Sequence, residues 1–492
     1  MKVLKEKGIL YTLFILLLSF NAYAKNKNQV KAYFSPHQGQ KAFVKMYDLI
    51  SKTKTSASIT VYSWSDKGLN KAIKTALSKE DKPKIRLVLS PHLWRAKKEK
   101  LRPQVTELEL MGAEFKVAIK DMHEKFSLID DITLINTSAN FSLGARTRYS
   151  ENFIFHTRKD KDSPYLQELF SQFKNEFKIL WNTGKDIYTH DEQMSEKFIT
   201  PENELFSLDS KTEFFSSSMN FSLKENLPPS KRLLQGRYFS LRRIKNQFKQ
   251  NTWTVRDQLL SLIKNAKHSI KLGLNHLAIE AVSDALIEAT QRGIDVKFVV
   301  DNQEFRRKAK KSALMAKFVE DWKAIPGNDI KDLPVRVKYY SISPNPIYWF
   351  LNHHKFILID YKVNGIGTKL YSGSYNISRK AEHNQFDNMV LYDDPSFKKL
   401  YTSFNKEFNH LWKLNRPSKE LSEQDYLKLI EGSEEKLIVH FFRPISLSWH
   451  EIQTLRRLFV KKVDIDFWKE LKNHKQCRYY IPTKKKFSGC KF

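Results

Sequence analysis

The chain has 492 residues, enough for roughly two or three domains, and its composition of 41% hydrophobic and 28% charged residues excludes a disordered chain. The 85 lysines and arginines outnumber the 54 acidic residues, so the formal net charge is +31. A charge of this size attracts polyanions, either a nucleic acid or an anionic membrane surface.

The N-terminal segment has the pattern of a bacterial secretory signal peptide. Lysines at positions 2, 5 and 7 precede an apolar run of 12 residues, 9–20, and residues 22–24 have the small-x-small form of a cleavage site. The apolar run is shorter than a membrane-spanning helix, and an uncleaved anchor is the alternative interpretation. We therefore expect residues 1–24 to be removed after Ala24 and the remaining chain to be secreted or periplasmic.

The chain contains two cysteines, Cys477 and Cys490, both near its C-terminus. In an oxidising compartment they could close one short loop, which would contribute roughly 3 kcal/mol at most. Two unpaired thiols are the alternative. We expect neither cysteine to be catalytic.

The elements predicted along the chain occur twice. The segment LISKTKTSASITVYSW at 49–64 matches LIKNAKHSIKLGLNHL at 262–277, and each combines the end of an amphipathic helix with a strand. The alternating runs KIRLVLSP at 84–91 and DVKFVVDN at 295–302 predict further strands. The helical segments FKNEFKILW at 173–181 and FNKEFNHLW at 404–412 end the two copies. Strands that alternate with helices predict an α/β fold.

The repeat predicts two domains. We expect the first domain to span residues 25–200 and the second to span residues 210–415, with a polar linker between them. Residues 416–492 would form a C-terminal extension that ends in a basic stretch, and the sequence does not indicate its role.

The first chemical pattern is a histidine, a lysine and an aspartate at fixed spacing, HxKx4D, and it occurs once in each half. The two copies comprise His123, Lys125, Asp130, His353, Lys355 and Asp360. Residues i and i+2 of a strand share a face, so each histidine points the same way as its lysine. The aspartate lies on the opposite face near the strand end, and we interpret it as a structural acceptor for backbone or loop donors.

A second polar pattern follows each of these strands. It consists of a serine, an asparagine two positions later, and an acidic residue 13 positions after the serine. The six residues are Ser138, Asn140, Glu151, Ser374, Asn376 and Asp387. One copy alone could be accidental, but two matched sets inside a repeat are hard to explain by chance.

Imidazole, ammonium, hydroxyl and amide groups together are suited to an anion such as a phosphodiester. The lysines and asparagines would offset charge on the non-bridging oxygens. One neutral histidine could attack phosphorus and form a phosphohistidine, while the other, protonated, donates to the leaving alkoxide and then deprotonates water. Glu151 and Asp387 are the candidates to fix the tautomer and orientation of the histidines.

A metal site is the competing interpretation of the same residues. Metal-assisted cleavage uses clustered carboxylates or closely spaced histidines, and a lysine beside each histidine would repel a cation. We therefore expect neither a metal ion nor any other cofactor.

This arrangement resembles the phospholipase D (PLD) superfamily, whose HKD motif reads HxKx4D and is followed by GSxN. The resemblance extends over residues 28–415 and is to members with two motifs in one chain, here with the signal of a secreted bacterial protein. It implies two PLD-like domains, each a mixed β-sheet flanked by helices, which are related by pseudo-twofold symmetry and share one metal-independent active site.

The resemblance also implies roles for the residues. The six HxKx4D residues would be catalytic, with His123 as the nucleophile and His353 as the general acid, and the six residues that follow them would support substrate binding. Two positions depart from the family pattern. Thr137 replaces the glycine before Ser138, and Asp387 stands where glutamate is commoner.

The resemblance leaves the substrate open. The first hypothesis is hydrolysis or transphosphatidylation of phospholipids, because residues 347–351 form an apolar, aromatic approach to His353 that suits a membrane surface, although they could equally be strand core. A secreted nuclease is favoured by the net charge, and a cardiolipin-synthase-like transferase is the third hypothesis. The intact histidines and lysines disfavour a binding protein without catalysis. We expect a monomer whose partner is a phospholipid or membrane surface, or alternatively a nucleic acid.

Overall fold

The computed structural model describes residues 30–158, 164–187, 214–223, 241–243, 255–301, 311–329, 332–338, 351–414, 479–481 and 486–488. The expected signal peptide, both cysteines and residues 347–350 lie outside these ranges. So do the expected domain boundaries near residues 200, 210 and 415, and almost all of the expected C-terminal extension.

Within these ranges, the first half of the chain builds one large mixed sheet. Its strands are β1 (Val30–Ser35), β2 (Ser56–Val61), β3 (Lys84–Leu89), β4 (Glu114–Val117), β5 (Asp121–Met122), β6 (Phe126–Ile129), β7 (Thr133–Thr137), β8 (Glu151–Thr157) and β9 (Lys185–Ile187). All except β5 join this sheet, in the order β1-β8-β7-β6-β2-β3-β4-β9. Strands β2, β3 and β4 are parallel, and the other neighbouring pairs are antiparallel.

The helices of this half connect the parallel strands and cover the sheet. They are α1 (Gly39–Ser51), α2 (Lys67–Leu77), α3 (Pro91–Met111), α4 (Leu143–Thr147) and α5 (Pro164–Thr183). The side chain of Asp66 caps α2 and that of Ser90 caps α3, each by accepting a hydrogen bond from the amide two residues later. Helix α3 ends at Gly112, whose φ of 112° is readily adopted only by glycine.

The second half repeats this architecture. Its strands are β10 (Phe214–Ser216), β11 (Phe221–Leu223), β12 (Leu241–Arg243), β13 (Ser269–Leu274), β14 (Leu277–Ala278), β15 (Asp295–Asp301), β16 (Val335–Lys338), β17 (Lys355–Ile359), β18 (Lys369–Gly373), β19 (Ile377–Ser378), β20 (Gln385–Phe386) and β21 (Asn388–Tyr392). Its helices are α6 (Val255–Lys264), α7 (Glu280–Gln291), α8 (Lys311–Lys323), α9 (Arg379–His383) and α10 (Lys398–Leu414), with 3-10 turns at Ser217–Asn220 and Pro395–Phe397.

The sheet of the second half has the order β10-β21-β18-β17-β13-β15-β16 in the described part of the chain. Position by position this is the order of the first sheet from β1 to β4, again with three parallel strands. The predicted fold class, α/β with a mixed sheet in each half and pseudo-twofold symmetry, is therefore confirmed. Strands β11 and β12 form a short separate pair, as do β14 and β19, and β22 (Tyr479–Ile481) with β23 (Lys486–Ser488).

The helices form two outer layers and a central one. Helices α1, α2 and α3 pack on the first sheet, and α6, α7 and α8 pack on the second. Helix α5 contacts β6 and β10, and α10 contacts β1 and β17, so both helices touch both sheets. Their phenylalanines, such as Phe173 and Phe404, are fully buried in a core that contains residues of both halves. Each such side chain contributes roughly 1.5–3 kcal/mol, so the halves are held together by a shared core.

Two short parallel bridges also join the halves. Strand β5 pairs with β20, and Ser150 pairs with Asn352. In each bridge, one strand leads directly into a histidine of the HxKx4D pattern, and the other leads into the acidic residue of the opposite half. No helix among the described residues combines the length and the apolar composition that a membrane span requires.

Candidate active site

The two bridges carry the two histidines to the interface between the halves. The amide of His123 donates to the carbonyl oxygen of Phe386 at 2.8 Å, and the amide of His353 donates to that of Ser150 at 2.9 Å. The imidazole rings lie edge to face, with their centres 6.3 Å apart and an interplanar angle of 79°. Both histidines are buried. The two copies of the motif, 230 positions apart in sequence, thus meet at one place.

Each histidine is held by a carboxylate of the other half. Nδ1 of His123 lies 2.8 Å from Oδ1 of Asp387, and Nδ1 of His353 lies 2.8 Å and 2.9 Å from the two carboxylate oxygens of Glu151. An ionised carboxylate accepts a hydrogen bond from Nδ1–H, which places the lone pair of the neutral imidazole on Nε2. Nε2 is therefore the atom of each ring that can react.

The two lysines lie beside the histidines, and both are fully buried. Nζ of Lys125 donates to the carbonyl oxygen of His123, and Nζ of Lys355 donates to that of His353 at 2.7 Å. Burial lowers the pKa of Lys125 to about 7, assisted by repulsion from Lys355, and burial lowers the pKa of Lys355 to about 8. The site thus holds two ammonium groups whose proton affinity is well below that of a surface lysine.

Burial acts in the opposite direction on the carboxyl groups. It raises the pKa of Glu151 to about 8 and that of Asp387 to about 7, although the nearby lysines oppose the shift. Burial, together with repulsion from Lys125 and Lys355, holds the pKa of both histidines well below 6.5. Strong shifts of this kind in a cluster of six ionisable side chains are typical of a catalytic site.

The two serines orient the carboxylates. Oγ of Ser138 donates to Glu151 at 2.6 Å, and Oγ of Ser374 donates to Asp387 at 2.9 Å. Each hydroxyl also accepts a hydrogen bond from the backbone amide that follows its acidic partner, at 3.0 Å. The serines therefore contact the carboxylates of their own half, and they act on the histidines only through these carboxylates.

Asn140 and Asn376 are half-buried near these serines. Among the described residues, the side-chain oxygen of each asparagine has no hydrogen-bond partner. Thr137, which replaces the expected glycine, donates to the carbonyl of Asn152 at 2.6 Å and accepts from the amide of Ala139 at 2.9 Å. The counterpart in the second half, Gly373, could not carry a side chain, because a Cβ there would lie 2.1 Å from the carbonyl oxygen of Asn388.

The structure does not bring Asp130 and Asp360 to the histidines. Both lie at the far ends of their strands with φ of 53° and 48°, values that aspartate tolerates better than most residues. Oδ1 of Asp130 accepts hydrogen bonds from the amides of Thr55 and Ser56, and Asp360 accepts the equivalent set from residues 267–269. These aspartates tie β6 and β17 to the starts of β2 and β13, and they contact no reacting group.

Two residues near His123 fall outside the predicted set. Nε2 of Gln385 donates to Oδ2 of Asp387 at 2.6 Å, and the ring of Tyr62 lies edge-on to His123 with centres 4.5 Å apart. Tyr62 follows strand β2 inside the repeated segment, so its position could have indicated a place at the site. Gln385 lies in no repeated motif. Within the described ranges, no three histidine, cysteine, aspartate or glutamate side chains are grouped so as to hold a metal ion.

Comparison with known proteins finds similarity in both sequence and structure. Mitochondrial cardiolipin hydrolase of Chlamydomonas reinhardtii is 23% identical over 165 residues, which are 33% of this chain and 59% of that protein. The Xenopus laevis protein of the same name is 25% identical over 161 residues, 33% of this chain and 62% of that protein. The chain thus spans about three fifths of the length of these curated relatives.

Among solved structures, phosphatidylserine synthase of Haemophilus influenzae Rd KW20 aligns with 84% of this chain and 95% of its own, at 12% identity and a TM-score of 0.46. Nuc of Salmonella typhimurium, a phospholipase D family member, aligns with 32% of this chain and 97% of its own, at 22% identity and a TM-score of 0.27.

A family profile described as "cardiolipin synthase, PLD-like domain" matches residues 46–181 and 259–412. These two ranges make up more than half of the chain and contain both histidines, both lysines and both carboxylates of the site. The chain therefore belongs to the phospholipase D superfamily, with one part of the PLD-like domain match in each half.

Proposed function

We propose that this chain is a metal-independent phosphodiesterase that hydrolyses phospholipids through a phosphohistidine intermediate. The observation that carries the proposal is the 6.3 Å between the ring centres of His123 and His353, each imidazole being held at Nδ1 by a carboxylate. A phosphorus atom between the two rings could lie at about 3 Å from the reacting nitrogen, the separation of a near-attack geometry.

The proposed reaction has two steps. In the first, Nε2 of His123 attacks phosphorus, a P–N bond forms, and the P–O bond to the leaving alcohol breaks while this oxygen receives the Nε2 proton of His353. In the second, His353 takes a proton from water, whose oxygen forms a P–O bond as the P–N bond to His123 breaks. Both histidines return to their starting state, and the products are an alcohol and a phosphomonoester.

The charge of the site explains how His353 would acquire the proton that it donates to the leaving group. The site is neutral when both lysines are charged and both carboxylates are ionised, and a phosphodiester then adds one negative charge. Burial lowers the pKa of both histidines first, and Lys125 and Lys355 lower it further, so an anion that offsets these lysines removes the second effect. In the proposed mechanism, binding of the anionic substrate therefore favours protonation of His353, the general acid.

The relatives support a phospholipid substrate, and the net charge is compatible with one. The matching family profile is described as a cardiolipin synthase, and the curated relatives are named cardiolipin hydrolases. A formal charge of +31 would hold the chain at an anionic bilayer. If an alcohol replaced water in the second step, the same intermediate would give transphosphatidylation. The N-terminal pattern fits a protein that acts outside the cytoplasm, and we propose that it does so as a monomer.

A nuclease is the second candidate, and an aromatic stack beside the site favours it. The ring of His92 stacks on that of Tyr62 with centres 6.2 Å apart and an angle of 22°, and Tyr62 contacts His123. Arg95 follows on the same helix as His92, and its side chain is 73% exposed. Such a stack could hold a base next to the scissile phosphate, and the arginine could contact a further phosphate.

The substrate is tested with the purified chain from residue 25 onward in the presence of EDTA. Vesicles of cardiolipin, vesicles of phosphatidylcholine and plasmid DNA are offered separately, and a His123→Ala His353→Ala double variant is the control. Phosphatidic acid released by the parent chain supports the proposal, and a nicked plasmid with intact lipids supports the nuclease. Turnover that disappears on chelation would contradict the metal-independent mechanism.

A further inference from the structure

The second half has a buried lysine beside the active site that the first half lacks. Lys338 ends β16, is 5% exposed, and is the register partner of Asp301 on β15. In the first half, the pairing of β3 with β4 ends at Leu89 and Val117, and the next residues, Ser90 and Ala118, are at the corresponding positions. The two halves therefore differ at this place by one buried cation and one buried anion.

Lys338 connects the two segments that carry the His353–Glu151 pair. Its Nζ donates to Oγ of Ser150 at 2.6 Å and to the carbonyl oxygen of Leu351 at 3.2 Å. Ser150 directly precedes Glu151, and Leu351 lies two positions before His353. The ammonium group of Lys338 thus contacts a segment of each half, directly beside the backbone bridge that precedes Glu151 and His353.

Asp301 adds a contact to the same segment. Its Oδ2 accepts a hydrogen bond of 2.6 Å from the amide of Asn352, the residue before His353. The bridge at this point consists of one residue pair, Ser150 with Asn352, whereas the equivalent bridge at His123 is the two-residue pairing of β5 with β20. Side chains of β15 and β16 therefore supply contacts where the backbone pairing is shorter.

The charge of Lys338 also acts on the carboxylate. Burial raises the pKa of Glu151, and the charges of Lys355, Lys125 and Lys338 lower it. A carboxylate that stays ionised accepts the Nδ1–H of His353 and so fixes the orientation of the ring. Since a buried ammonium group is costly without partners, its retention next to one histidine requires the contacts to Ser150, Leu351 and the nearby acids.

We propose that Lys338 is a positioning residue for His353, acting through Ser150, Leu351 and Glu151, and that it serves the acid step of the reaction. The inference rests on the proposed function, in which His353 protonates the leaving alcohol. It distinguishes two histidines that the repeated motif makes look equivalent. Removing the ammonium group loosens the His353–Glu151 pair and leaves the His123–Asp387 pair, 2.8 Å apart, in place.

The leaving group of the substrate provides the kinetic test. An alkoxide needs the proton of His353, whereas p-nitrophenolate leaves without one, so the full chain is assayed on phosphatidylglycerol vesicles and on bis(p-nitrophenyl) phosphate. We expect Lys338→Met to lower kcat about tenfold or more on the lipid and less than about threefold on the nitrophenyl ester. Lys338→Arg, which keeps the charge, should recover part of the lipid rate. Equal losses on both substrates, or no loss, would overturn the inference.

Lys116 offers a matched control. It is a buried lysine on β4, the strand that corresponds to β16, and its Nζ lies 3.4 Å from Asp186. Lys116→Met removes the same groups from an equivalent strand and contacts neither histidine. It should leave the ratio of the two rates unchanged. If Lys116→Met changed this ratio as much as Lys338→Met, the effect would be general destabilisation, and the inference would fail.

Nuclear magnetic resonance separates the inference from the proposed function. In the full chain labelled with 15N-histidine, each carboxylate-bound Nδ1–H gives a downfield proton signal, and the variants His123→Gln and His353→Gln assign the two signals. Lys338→Met should shift or broaden the His353 signal and leave the His123 signal unchanged. This measurement needs no turnover. An inactive parent chain would contradict the proposed function alone, and an unchanged His353 signal would contradict the role of Lys338 even in an active enzyme.

Discussion

Nδ1 of His123, in the first half, lies 2.8 Å from Oδ1 of Asp387, in the second half, across 264 positions of sequence. The reciprocal pair, His353 with Glu151, spans 202 positions. Each carboxylate is in turn held by a serine of its own half. The site is therefore built from two crossed pairs, and every element of the proposed chemistry depends on the register of the two bridges between the halves.

Loss of either histidine should abolish turnover. We expect His123→Ala and His353→Ala to lower kcat by about 10³-fold or more on phospholipid, because one removes the nucleophile and the other the acid and base. The parent chain, denatured at alkaline pH during turnover of a 32P-labelled substrate, should carry an acid-labile phosphoryl group that His123→Ala lacks. A variant of either kind with nearly the parent rate would refute the shared site.

The crossed carboxylates should matter almost as much as the histidines. Asp387→Asn and Glu151→Gln keep the shape of the side chain, but an amide can donate its N–H to Nδ1 and so stabilise the wrong tautomer. We expect kcat to fall about 10³-fold with little change in KM. Steady-state kinetics on vesicles test this, and melting temperatures close to that of the parent would show that the fold survives. A loss of less than about tenfold would mean that the carboxylates do not orient the rings.

Asp360 should contribute to stability and not to the chemical step. Its buried carboxylate accepts hydrogen bonds from the amides of residues 267–269, and Asp360→Ala would leave these donors without their acceptor. We expect a loss of about 1–3 kcal/mol in the free energy of unfolding, measured with urea. The kcat per folded molecule should stay within about threefold of the parent. The equivalent Asp130→Ala, at a more exposed position, should cost less; a large fall in kcat for either variant would contradict this role.

The buried Lys125 should weaken the fold in a pH-dependent way. Its pKa is lowered from 10.5 to about 7, first by burial and then by repulsion from Lys355, so the unfolded chain binds this proton more tightly than the folded chain. The cost of the charged lysine is full below about pH 7 and is lost as the pH rises to 10.5. Lys125→Met should therefore be more stable relative to the parent at pH 6 than at pH 9, as measured by denaturant midpoints, and it should be inactive. The opposite trend with pH would contradict a lowered pKa.

The sequence predicts the fold well because the repeat carries the pattern of strands and helices twice. The matched segments 49–64 and 262–277 become α1 with β2 and α6 with β13, and the two sheets have the same strand order. The fold class and the superfamily are both confirmed. The roles assigned to the twelve site residues and the domain boundaries stay predictions.

The crossing of the carboxylates could not be predicted from spacing. Ser138 and Glu151 lie 13 positions apart and do form a hydrogen bond, but the histidine that Glu151 contacts is set by the bridge between Ser150 and Asn352. Such a bridge of one pair leaves no pattern in the sequence. The place of Lys338 beside the site could not be predicted either, because a lysine at the end of a short strand is usually exposed. Its burial follows from the packing of two halves, which the sequence of one half does not describe.

Because each histidine is held by a carboxylate of the other half, the site depends on how the two halves are kept together. Either half alone would hold an imidazole without its anchor, so two separate halves would work only at concentrations where they associate. Covalent linkage replaces that requirement with a high effective concentration that does not vary with the amount of protein. Linkage in one chain also allows the two copies to differ in sequence. A single lysine that is present in one copy can then give the two histidines different properties.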